Sequence, residues 1–369
     1  MPDPPPPPSV RTSASRRVFL DRLRGLAVVV MIEVHVVNAL LATDLRSTAW
    51  FRALDRLNGL VAPTFLFCAG LSLALVDPRR RGPHTVGAWL FSHARRCAGI
   101  ALLGYLMHAS YLPAALTSGS GRYEALAQLL QADILQIIAV SLLALAVARA
   151  ATRNARAFTR VTLAMTVTAF AAAPIVRGLD VSRLPIAVRP YISNAVPSQF
   201  PLLPWVGYAF AGALVASLAE GPARLLPPRR YVRVLTSLFV TSAVLGAVWR
   251  GLGSEIAGRT WGDALLDLAL VSGAGAALAY ADTRAGSEGT TWTRTIDAWL
   301  RVLGHHSLAV YVVHVAWVYG RHPASLRSII GPRLDVATCA LAWVGVTLAM
   351  VALARVLHAR RRRRRAAEA

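Results

Sequence analysis

His35 stands ten residues into an apolar run that opens at Gly25 and reads GLAVVVMIEVHVVNALLA. A helix of that composition needs no imidazole for its stability. An ionisable group inside such a run is by default a functional-site candidate. Glu33 lies two residues earlier, so one run carries two titratable groups. A second run opens at Gly304, reads GHHSLAVYVVHVAWVYG, and holds His314 again ten residues in. At helical rise both imidazoles sit about 15 Å deep, near the middle of a hydrocarbon layer about 30 Å thick. A neutral imidazole there can take a proton from an attacking hydroxyl or amine, or act as the nucleophile itself. The plain alternative is two unrelated histidines, each hydrogen-bonded within a bundle.

Other polar residues fall in the same layer. Ser307, Tyr311 and His314 are spaced to share one helix face, which chemistry would use as a polar stripe and packing would use for interhelical hydrogen bonds. Asp133 and Gln136 form an i, i+3 pair in a third run. Asp263 and Asp267 read as carboxylates at a helix start. His305 and His306 fall at the rim of their run, and His84, His93, His322 and His358 fall in or beside loops. No HExxH and no Cys/His cluster has ligand spacing, so no metal is expected.

The elements that must position these groups are membrane helices. The chain has 369 residues, 55% of them hydrophobic, and apolar runs of about 17–25 residues recur along it, the signature of transmembrane spans. The expected fold is all-α and polytopic with about ten spans, near 25–42, 59–76, 97–113, 128–148, 161–176, 201–219, 234–249, 263–281, 304–320 and 335–355. Asp133 and Gln136 interrupt the fourth. All 40 basic residues are arginine. Alternating the spans from an inside N-terminus puts most of them on one side, which orients both termini to the cytoplasm. A Pro-rich arm, 1–17, precedes a membrane domain, 18–357, and an Arg-rich tail, 358–369, follows it. The net charge of +22 is spread over loops rather than gathered on a soluble domain, so no nucleic-acid partner is expected. Arg360–Arg365 suit anionic lipid headgroups. Cys68, Cys97 and Cys339 all fall in spans, and no P-loop, dinucleotide fingerprint or CxxC occurs.

Several motifs, in order, resemble the heparan-alpha-glucosaminide N-acetyltransferase-like (YeiB-type) transmembrane acyltransferases. They are FLDRLRGLAVVVMIEVH from Phe19, NGLVAPTFLFCAGLSLAL from Asn58, RRCAGIALLGYL from Arg95, FPLLPWVGYAFAGAL from Phe200 and LGHHSLAVYVVH from Leu303. Animal members of that family place a catalytic histidine in the external loop after the first helix, and this chain has no histidine between Val36 and Pro83. Bacterial members often place one at the position of His35 with an aspartate just before it. Here Val34 stands there and Glu33 one further back.

The resemblance implies acyl transfer in the plasma (inner) membrane. The donor is acetyl-CoA or another acyl-CoA, the acceptor an extracytoplasmic sugar, glycan or glycolipid, and no metal takes part. His35, Glu33 and His314 are then the catalytic candidates. Arg24, Arg95 and Arg96 are candidates for the CoA phosphates, the alternative being positive-inside anchors. Tyr311, Ser307, Asp133 and Gln136 support the substrate. The missing loop histidine favours O- over N-transfer, and a homodimer is compatible with the family. Two other classes compete: a proton-coupled transporter or exporter using the same buried polar residues, and a non-catalytic scaffold. The lack of a repeat between the halves counts against the transporter, and the buried histidines count against the scaffold.

Overall fold

A computed structural model of the chain describes residues 18–81, 85–117, 119, 121–193, 198–220, 228–251, 261–284, 291–320 and 324–367. The Pro-rich arm, His84, His322 and the last two residues lie outside them. The principal helices are α1 (Val18–Leu40), α2 (Ala49–Asn58), α3 (Val61–Ala74), α4 (Thr85–Met107), α5 (Arg122–Leu129), α6 (Ile134–Ala151), α7 (Ala155–Ala171), α8 (Leu202–Glu220), α9 (Pro228–Gly251), α10 (Trp261–Arg284), α11 (Thr291–His305), α12 (Ser307–Tyr319) and α13 (Val336–Ala367). Among the described residues there is no strand beyond one isolated bridge, Leu41 with Leu334.

Among the described residues seven stretches are long and apolar enough to cross a membrane, or up to nine if each of two bent helix pairs is one span. All ten expected runs fall on helices, but three of them depart from a simple crossing. The run at 161–176 falls on α7, which has 17 residues. The run at 97–113 bends by 49° after α4, and the run at 304–320 bends by 85° between α11 and α12. The 13 residues of α12 rise only about 20 Å, less than a hydrocarbon core of about 30 Å.

The interruption in the run at 128–148 has a local cause. Asp133 is the N-cap of α6 and Gln136 its N3 residue. Asp133 Oδ1 accepts from the Ile134 amide at 2.6 Å, and Gln136 Oε1 accepts from the Asp133 amide at 3.3 Å. Two orphan amide donors are satisfied this way, so a helix can start at membrane depth.

Two glycine contacts hold α1 in place. A Cβ on Gly25 would lie 2.0 Å from the Leu300 carbonyl oxygen, and one on Gly304 would lie 2.1 Å from that of Asp21. The glycines of the Arg-Gly-Leu and Gly-His-His stretches therefore let α1 and α11 cross backbone to backbone, as small residues do in membranes. Arg22 joins the same region by pairing with Asp282 on α10 and Asp297 on α11. At the other end of α1, Arg46 donates to the Leu41 carbonyl at 2.8 Å and to that of Asn38 at 3.1 Å, satisfying helix-terminal acceptors. Leu334 and the Leu40–Ala42 backbone exchange two bonds of 2.9 Å. The helix that carries His35 is thus tied at both ends.

Apolar packing forms two clusters. One gathers α3, α4, α6, α8 and α10 around the start of α1, and the other gathers α11–α13 around its later turns. Tyr311 packs against both. Arg360–Arg365 stand on the last turns of α13, which runs for 32 residues.

Candidate functional site

A cavity of about 2010 Å³ opens inside the bundle, lined by α1, α2–α3, α4, α6 and the α11–α12 bend. Arg24 and Ser72 stand on its wall near the start of α1, Arg96 stands on it from α4, and His108, Tyr111 and Asp133 stand on it where α4 ends and α6 begins. His35 lines it too. His35 lies eleven positions after Arg24 on α1, about 16 Å along the helix.

His35 and His314 meet. His35 Nδ1 lies 2.7 Å from His314 Nε2, with the rings nearly parallel at a centroid distance of 5.0 Å. Each stands five residues before the end of its helix, α1 at Leu40 and α12 at Tyr319, so the matched depth read from the sequence corresponds to contact. His314 is fully buried, and its Nδ1 lies 2.6 Å from the Val310 carbonyl. A carbonyl oxygen only accepts, so His314 Nδ1 carries hydrogen. With both rings neutral, His314 Nε2 is then an acceptor and His35 Nδ1 the donor to it. The lone pair of His35 falls on Nε2. Among the described residues no hydrogen bond reaches Nε2, and His35 lines the cavity. One backbone carbonyl thus fixes the tautomers of two rings in series, and helix geometry explains it, because Val310 lies one turn before His314.

Aromatic rings enclose the pair. Tyr319 stands edge-on to His35 with centroids 5.6 Å apart, and Tyr311 stands 6.4 Å from His35 and 6.0 Å from His314. Asp133 shares the cavity wall with His35 and Tyr311. Its Oδ2 lies 3.5 Å from His108 Nε2, which also meets Gln131 Nε2 at 2.9 Å.

Of the residues singled out in the sequence, the cavity wall brings together His35, Tyr311, Ser307, Asp133, Arg24 and Arg96, with His314 directly behind His35. Arg24 donates to the Cys68 carbonyl at 2.9 Å and to the Ser72 hydroxyl, which holds its guanidinium across from α3. Three others stand off the wall. Glu33 is buried on another side of α1 beside Asn58, as expected for a residue two positions, about 200°, from His35 around a helix. Arg95 is exposed on α4. Gln136 is fully buried as the capping partner of Asp133, against Gly104. Asp263 faces Arg250 at 3.8 Å, away from this wall.

His108, Gln131 and Tyr319 also line the cavity, beyond the residues the sequence motifs single out. His108 had a signal, because it falls inside an expected span and an ionisable group there is unusual. Tyr319 and Gln131 sit at run ends, where aromatic and polar residues are ordinary.

No curated protein matches the chain. Residues 16–242 match the family described as heparan-alpha-glucosaminide N-acetyltransferase, catalytic. That segment contains His35, Arg24, Arg96 and Asp133, while Ser307, Tyr311 and His314 lie beyond it. With most of its length matched and its apolar helices around one cavity, the chain belongs to the heparan-alpha-glucosaminide N-acetyltransferase catalytic family and is a multi-pass membrane acetyltransferase.

Proposed function

We propose that this protein moves an acetyl group from cytoplasmic acetyl-CoA to a sugar hydroxyl on an extracytoplasmic glycan or glycolipid, with His35 as the group that handles the proton. The observation that carries the reading is the His35 side chain on the cavity wall: Nδ1 held by His314, Nε2 reached by no hydrogen bond among the described residues. A base needs its lone pair aimed at the reacting proton and its other nitrogen fixed. His314 supplies the second condition and is a positioning residue.

The step runs as follows. The acceptor hydroxyl gives its proton to His35 Nε2 as its oxygen attacks the thioester carbonyl. The tetrahedral intermediate collapses with cleavage of the carbon–sulfur bond. The proton on Nε2 then passes to the departing CoA thiolate, leaving His35 neutral and the acetyl group on the acceptor oxygen. The same Nε2 is the atom that would carry the acetyl group in a two-step route. Arg24 and Arg96 suit the phosphates of the donor, and an extended pantetheine arm bridges the stretch from Arg24 to His35. His108 and Asp133 stand at the acceptor side, where a carboxylate and an imidazole suit sugar hydroxyls. Orientation with Arg24 toward the cytoplasm follows from the arginine bias.

The test uses purified protein in detergent with radiolabelled acetyl-CoA, following release of free CoA and label kept on the protein. Turnover that is lost in His35→Ala supports the reading, and retained label supports the two-step route. Proton-coupled solute uptake with no acetyl-CoA binding would replace it with a transporter.

A further inference from the structure

A second histidine group lies at the α11–α12 bend. His305 closes α11, His306 is the N-cap of α12, and His358 comes from α13. Each offers a ring nitrogen, and these three atoms all lie within 4.8 Å of one another. The rings stand nearly perpendicular, with centroids 4.6 Å apart for His305 and His306, 5.8 Å for His305 and His358, and 5.7 Å for His306 and His358. All three are half-buried. Neighbouring residues in a continuous helix point about 100° apart and do not converge. Here the 85° bend falls at these two residues, and their rings turn toward a third from a distant part of the chain.

We propose that His305, His306 and His358 form a site for a divalent transition-metal ion of the zinc type. Imidazole nitrogens suit zinc, cobalt, nickel and copper rather than calcium or magnesium, which take oxygen ligands. Tetrahedral zinc with Zn–N bonds of about 2.0–2.1 Å places its ligand nitrogens roughly 3.3 Å apart. Ring nitrogens within 4.8 Å close to that by side-chain rotation of about an ångström. Three protein ligands leave a fourth position open, as in zinc sites that bind water or a ligand.

One charge opposes the ion. Arg361 Nη1 lies 3.0 Å from His305 Nε2, and Arg360–Arg365 follow on the same helix. Three imidazoles bring no negative charge, so the loaded site keeps its +2 beside guanidinium groups. Loading therefore displaces Arg361 from His305 and favours an anionic fourth ligand. His305 and His306 line the cavity, and Arg24 Cβ lies 3.1 Å from where a Cβ on Gly304 would stand. An ion held here would pin the bend to α13 and fix the rim of the cavity beside Arg24. The site stands apart from the acyl-transfer reading and does not depend on it.

The experiment takes the full-length, untagged protein in detergent, stripped with chelator, and titrates zinc by calorimetry and cobalt(II) by visible absorption. The expected result is one saturable equivalent with the strong visible bands of low-coordinate cobalt(II). His358→Ala removes it, and His358→Gln serves if thermal melting shows the alanine variant misfolded. His93→Ala, elsewhere on the cavity wall, leaves it intact, and Arg361→Ala tightens it several-fold. Absence of saturable binding to wild type, or equal binding by wild type and a folded His358 variant, overturns the proposal.

Discussion

The two histidine groups of this molecule are built from the same side chain and differ in what holds them. His35 and His314 are set by one hydrogen-bonded series that starts at the Val310 carbonyl, with tyrosine rings around it. His305, His306 and His358 converge at a helix break, beside arginines that oppose a cation. The first arrangement has a defined direction for one proton. The second gathers ring nitrogens of three imidazoles within 4.8 Å of one another. The residue type says little until the backbone around it decides which nitrogen is free.

The sharpest break of this comparison is His35→Ala, which removes the base and lowers acetyl transfer by about 10²–10⁴-fold, far beyond the modest loss of melting temperature expected from leaving the buried His314 Nε2 without its donor. Second is Gly25→Ala, whose Cβ would lie 2.0 Å from the Leu300 oxygen. Forcing α1 and α11 apart costs about 3 kcal/mol by overpacking, read as a lower melting temperature. Third, His314→Leu takes away the acceptor for His35 Nδ1 and lowers kcat about tenfold or more with little change in KM, while His314→Gln, whose amide oxygen can accept, recovers part of it. Recovery by leucine equal to that by glutamine would remove His314 from a positioning role. Fourth, Arg24→Ala loses a charge-assisted contact of about 1.5–3 kcal/mol, weakening acetyl-CoA binding about tenfold or more and acceptor binding far less. Smallest is Arg95→Ala, an exposed change expected within about 0.5 kcal/mol for binding and stability, in contrast to Arg96 on the cavity wall.

The sequence made the histidine depth legible because membrane helices convert residue number into height at a fixed rise. His35 and His314 therefore matched before their contact was known. It does not give rotation about the helix axis, so Glu33, in the same run, lies behind Asn58, which lines the cavity, and does not reach the wall itself. Asp133 and Gln136 were visible as polar residues in an apolar run, but a capping box and a polar helix face share that pattern until the helix start is located. The number of crossings was harder, because hydropathy does not register bends. The His305–His306 site was hidden for the same reason, since only the 85° turn brings those rings toward His358. The Gly25 and Gly304 motifs were legible as residues, and their use as a helix crossing needed the partner backbone.

The most direct test of the account is the initial rate of acetyl transfer into the glycan and lipid fraction of membranes carrying the protein, supplied with radiolabelled acetyl-CoA, for wild type and His35→Ala at equal folded amounts. The account predicts label incorporation by wild type and a loss of at least about a hundredfold in the variant. Incorporation by His35→Ala at the wild-type rate would contradict it.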